Sequence, residues 1–122
     1  MVKQNIPNLF FNFLQMFREL FENPFLRGTR QAEADILAGK FVIKTYGKPV
    51  KWRRIYAELL KTNYNIVLES VSDEMVGDRK REEIRGYNSI SKVAINKKHG
   101  RKTLEAVVEK AQELSEKEAK TQ

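Results

Sequence analysis

The stretch FVIKTYGKPVKWRRIYAELLKTNYNIVLESV, residues 41–71, decides the fold. Residues 41–46 are rich in β-branched and aromatic side chains and alternate, which predicts a strand. Gly47-Lys48-Pro49 closes it. Residues 66–71 predict a second strand. Between them, Trp52, Ile55, Tyr56, Leu59 and Leu60 follow the i, i+3, i+4, i+7, i+8 spacing of an amphipathic helix over residues 51–62. A linker of roughly eighteen residues is long enough for a parallel crossover. Two strands alone make a marginal sheet, so either helices cover it or a second copy of the chain extends it. A homodimer is the expectation that follows.

Downstream, residues 79–98 read as the longest helix. Its wide apolar arc of Ile84, Gly86, Tyr87, Ile90, Val93, Ala94 and Ile95 predicts contact with several neighbours and a central position. Gly86 lies on that arc, where close approach of another backbone is the natural reason for a helical glycine. Asn88 borders the arc and is placed to bind a buried carbonyl. Gly100 is a suitable stop. Residues 103–117 form the last helix, with the stripe Leu104, Val107, Val108, Ala111 and Leu114, and residues 118–122 are expected to fray.

Upstream, Thr29 as N-cap and Gly39 as the residue after the C-cap bracket a short helix over residues 29–38. Residues 8–22 form an aromatic amphipathic helix ended by Asn23-Pro24, and residues 1–26 are this helix and its connector. The whole is a helix-rich α+β protein. About five helices surround a small two-stranded sheet in one domain over residues 1–122.

Composition narrows the function classes. Apolar residues make up 41% and charged residues 32%, a globular balance. The absence of cysteine removes disulfides and thiolate chemistry and fits a reducing compartment. No run is apolar enough to span a bilayer. The Phe-rich N-terminus, interrupted by Arg18, Glu19 and Glu22, lacks a secretory pattern, so a cytoplasmic protein is expected.

A single histidine, His99, argues against a metal site, and no cofactor is expected. Gly100-Arg101-Lys102-Thr103 lacks the glycines of a phosphate-binding loop. Ser89 and Ser91 lie within a helix and lack a nucleophile's setting. Glu82 and Glu83, like Asp73 and Glu74, are sequence neighbours that point about 100° apart on a helix and cannot share one substrate. Catalysis is therefore not the expected role.

The charge layout is the main clue. The net charge is +7, and residues 40–64 carry seven basic residues against one acidic. One set of candidate polyanion contacts is Lys48, Lys51, Arg53, Arg54 and Lys61. A second is Lys92, Lys97, Lys98, Arg101 and Lys102. Trp52 and Tyr56 share the apolar face, so the rings belong to the core and not to a stacking surface. Glu105, Glu109, Glu113 and Glu116 form an acidic stripe whose position relative to these bases decides the net field.

Phe10, Phe13, Phe17 and Phe21 are the candidate interface residues, for core or dimer contact; the missing lysine-rich face argues against a membrane role. Two expectations follow. One is a small non-catalytic intracellular interaction or regulatory protein that self-associates. The alternative is binding of nucleic acid or another polyanion through residues 48–61 with residues 92–102.

Overall fold

The computed structural model describes residues 12–18 and 23–121. Five helices and a two-stranded sheet follow in the order α1 (residues 12–18), α2 (Pro24–Leu37), β1 (Val42–Tyr46), α3 (Lys51–Tyr64), β2 (Val67–Ser72), α4 (Asp78–His99) and α5 (Thr103–Thr121). The strands are parallel, with Val42 opposite Val67 and Lys44 opposite Glu69, and α3 is the crossover. A bulge between Thr45 and Tyr46 shifts the register at the strand ends.

Helix α3 stops where Asn65 takes a left-handed conformation (φ +55°). The Asn65 and Ile66 amides close back onto the carbonyls of Lys61 and Leu60, so the chain turns directly into β2. This helix runs on to Tyr64, past the expected end at Thr62.

One face of the sheet and its β1 edge are built differently. On one face Ile43 joins Tyr56, Leu60 and Ile66, with Ile95 of α4 and Leu104, Val107 and Ala111 of α5, in a single apolar cluster. At its edge, β1 meets α4 through side chains that take the place of a third strand. Asn88 accepts from the Lys44 amide and donates to the Lys44 carbonyl, each at 2.8 Å, and the Ser91 hydroxyl donates to the Val42 carbonyl. The polar groups of an edge strand are thus satisfied by a helix.

Helix α2 packs against the outer side of α4. The approach is close enough that a Cβ built on Gly86 would lie 2.0 Å from the Phe25 carbonyl oxygen, and one on Gly28 would lie 2.0 Å from that of Glu83. The expectation for Gly86 holds, and Gly28 supplies the matching notch.

Several boundaries differ from expectation. Asn23-Pro24 opens α2 instead of only ending the preceding helix: the Asn23 side chain accepts from the Leu26 amide at 3.1 Å, and proline sits where its missing N–H costs nothing. Thr29, the expected N-cap, lies buried in the second turn, its hydroxyl donating to the Leu26 carbonyl at 2.8 Å. Gly39 does end the helix, with φ +79° and paired bonds from Gly39 to Ile36 and Lys40 to Asp35.

Helix α5 continues to Thr121 beyond the expected end at Lys117, and an ion pair of 3.3 Å joins Lys51 to Glu118. Val93 is 67% exposed, because it sits at the margin of the arc that α2, β1 and α5 cover. Of the Phe-rich helix predicted over residues 8–22, α1 covers residues 12–18; the remainder lies outside the described residues. Among the described residues no helix is long and apolar enough to cross a membrane.

Candidate functional site

Three segments converge at the end of the sheet where both strands begin. Lys40 and Phe41 lead into β1, the last turn of α3 leads into β2, and the last turn of α4 runs alongside. Lys98 places its ammonium 4.5 Å from the centre of the Phe41 ring. Lys40, Lys61, Phe41 and Asn65 line a shallow depression of about 310 Å³. The Tyr64 ring meets His99 edge-on at 5.0 Å, which ties the ends of α3 and α4 together.

Lys97 flanks this junction, and Arg101 and Lys102 sit in the turn to α5. All six cations are exposed. None forms an ion pair with a described residue. Two helix C-termini point into this end, and their partial negative charge favours nearby lysines.

The basic segment of the sequence is divided by α3 itself. Lys48, Lys51, Arg53 and Arg54 lie at the opposite end of the helix from Lys61, about 15 Å away for the ten residues between positions 51 and 61. There Lys51 pairs with Glu118, and Arg53 donates to the Gly47 carbonyl at 3.2 Å. Arg54 stays exposed beside a second shallow depression formed with Pro49, Val50 and Lys51. The structure therefore brings Lys61 and Lys98 together at Phe41, leaves Lys97, Arg101 and Lys102 as sequence neighbours of Lys98 at the end of α4 and in the turn beyond it, and sets Lys48, Lys51, Arg53 and Arg54 apart. Lys40 is absent from the sequence-based set because its place beside Lys61 is created only by the crossover.

Lys92 belongs to neither end. It lies on a groove between α4 and α5 that also carries Asn96, Glu105 and Glu109, with Tyr56 of α3 contributing to the lining. The first two members of the acidic stripe thus line the same groove as Lys92 without pairing with it. Glu113 is engaged within α5 by Lys117 at 3.3 Å and by Lys110 at 4.0 Å.

Other ionisable groups are tied into the structure. Tyr87 is 1% exposed and donates to Asp35 at 2.6 Å. Burial raises its pKa above the ordinary value, and the bond to the Asp35 carboxylate raises it further. Lys44 lies 4.3 Å from the centre of the Tyr87 ring and 3.8 Å from Glu69. Among the described residues, no group of three or more histidine, cysteine or acidic side chains is placed to hold a metal ion.

Of the candidate interface residues, Phe13 and Phe17 lie one turn apart with ring centres at 4.9 Å and planes tilted by 57°, and are 53% and 44% exposed. Phe10 and Phe21 lie outside the described residues. Comparison of the chain with protein families, curated proteins and solved structures finds no match.

Proposed function

We propose that this protein is a non-catalytic intracellular binding module that takes nucleic acid on the basic end formed by Lys40, Lys61, Lys97, Lys98, Arg101 and Lys102. The observation that carries the reading is the meeting of Lys40, Lys61 and Lys98 at Phe41, with Lys97, Arg101 and Lys102 next to Lys98 in the chain, all six exposed and without ion pairs among the described residues. Phosphate neutralisation needs such a cluster, because affinity grows with the number of backbone charges met at once. The depression lined by Lys40 and Lys61 is shallow, which suits a backbone contact more than an enclosed substrate.

The test is binding of mixed-sequence single-stranded DNA, RNA and duplex DNA, followed by fluorescence anisotropy across a salt titration. Binding that weakens steeply with salt supports the reading, and absence of binding at low salt removes it.

A second reading is self-association through α1. Phe13, Leu14, Met16 and Phe17 are all at least 44% exposed, an unusual concentration of apolar surface on one short helix. Sedimentation showing a monomer at high concentration would exclude it.

A further inference from the structure

The groove between α4 and α5 has a chemistry unlike that of the basic end. Its volume is about 480 Å³, within the range of small-molecule sites. Leu104 and Val108, one turn apart on α5, give it an apolar side. Glu105 and Glu109, also one turn apart, form an acidic lip, and Lys92 and Asn96 form the lip opposite on α4. Neither Lys92 nor either glutamate has an ion-pair partner among the described residues.

One further group of the groove is unsatisfied, and a second is placed to donate. The side-chain oxygen of Asn96 is buried with no hydrogen-bond donor among the described residues, which is uncommon for a buried polar atom. Tyr56 is 8% exposed, lines the same groove, and makes no side-chain hydrogen bond to a described residue. Burial raises its pKa, so it remains a donor at neutral pH.

We propose that this groove binds a small zwitterion with an apolar side chain, a free hydrophobic α-amino acid of the size of leucine. The acidic lip and the orphaned Asn96 oxygen call for an ammonium group, which brings several donors on one centre. Lys92 and the Tyr56 hydroxyl call for a carboxylate. Leu104 and Val108 call for an aliphatic side chain between them. Side chains one helical turn apart are about 5–6 Å from each other, so each lip presents its groups at the scale of one α-amino acid. A long polyanion would satisfy Lys92 and meet repulsion from both glutamates. This proposal is independent of nucleic-acid binding, since the two sites share no residue.

The probe is L-leucine, titrated into the full chain while the methyl resonances of Leu104 and Val108 and the ring resonances of Tyr56 are followed by NMR. Saturable shifts at these positions are expected, with dissociation constants at or below about 1 mM. Isopentylamine and 4-methylpentanoate, which each lack one of leucine's charges, should bind at least tenfold more weakly. Lys92→Gln and the double substitution Glu105→Gln/Glu109→Gln should each weaken leucine binding at least tenfold. Asn96→Leu removes the orphaned oxygen; it should abolish binding while the protein remains folded by its NMR spectrum.

Lys61→Glu at the basic end should leave leucine binding unchanged. No saturable shift up to about 10 mM leucine would overturn the proposal. Equal binding of the amine alone would overturn it as well.

Discussion

Asn88 of α4 and Lys44 of β1 exchange two hydrogen bonds of 2.8 Å, the side-chain amide of one pairing with both backbone groups of the other. An amide side chain presents a donor and an acceptor side by side, as a neighbouring strand would. This pairing lets a two-stranded sheet end against a helix.

Replacing Asn88 with leucine should therefore destabilise the protein by about 2 kcal/mol or more, because the Lys44 amide and carbonyl would both be left unpaired. Asn88→Asp keeps an acceptor for the amide but sets a carboxylate against the carbonyl, so it should also be destabilising. Urea denaturation at neutral pH reads both. A leucine variant as stable as the parent would show that water replaces the side chain at this edge.

Gly28 and Gly86 should each reject alanine. A new Cβ at either position would meet a backbone carbonyl oxygen at 2.0 Å, and neither helix can yield locally. A loss of about 3 kcal/mol is expected, against the gain of up to about 1 kcal/mol that alanine brings to a helix. Ser89→Ala, on the exposed side of α4, should change stability by no more than about 0.5 kcal/mol. Thermal unfolding of the three variants gives the comparison.

At the basic end, the double substitution Lys61→Glu/Lys98→Glu should weaken binding of single-stranded nucleic acid at least tenfold at low salt. It should also flatten the slope of log K against log salt by about 0.7 for each phosphate that is no longer neutralised. Arg54→Glu, at the far end of α3, should have a much smaller effect. Equal weakening by both variants would show that the ligand does not distinguish the two ends.

Tyr87 predicts an alkaline limit to stability. Its pKa in the folded protein is raised from 10.0, by burial first and then by the bond to Asp35. The folded state therefore holds the phenolic proton more tightly than the unfolded state. Its contribution is fully present below about pH 10 and declines as pH rises beyond that value toward the folded pKa. Tyr87→Phe should lower stability at neutral pH by about 1 kcal/mol, through loss of the bond to Asp35, and should reduce the alkaline decline. Tyr56, also raised by burial, should retain its own share of that decline. Denaturation midpoints at pH 7 to 11 provide the measurement.

Much of this architecture is legible in residues 41–71, where β-branched runs, Gly47-Lys48-Pro49 and the Trp52-to-Leu60 spacing mark strand, turn and helix by local preference alone. Gly86 and Asn88 are legible as exceptions, because a glycine and an amide within a helix's apolar arc ask for a close backbone and a polar partner. The start of α2 is misleading in sequence: Asn23-Pro24 can both end one helix and cap the next, and Thr29 resembles a cap until its hydroxyl is seen to bond one turn back. Gly28 is hidden with it, since its reason lies in Glu83 and Tyr87, more than fifty residues away.

The charge layout shows the same division between near and distant information. The sequence by itself determined the number and kind of elements, the surplus of positive charge and the lack of thiol and multi-histidine chemistry. These depend on composition and on neighbours within a few turns. Only the tertiary structure decided that the strands run parallel, that α3 parts Lys48–Arg54 from Lys61, and that Lys40 and Lys98 meet at Phe41. It alone set Lys92 opposite Glu105 and Glu109. The physical reason is that a helix carries side chains about 1.5 Å further along its axis with each residue, so close neighbours in a charged run are soon distant, while chain crossovers bring remote residues together.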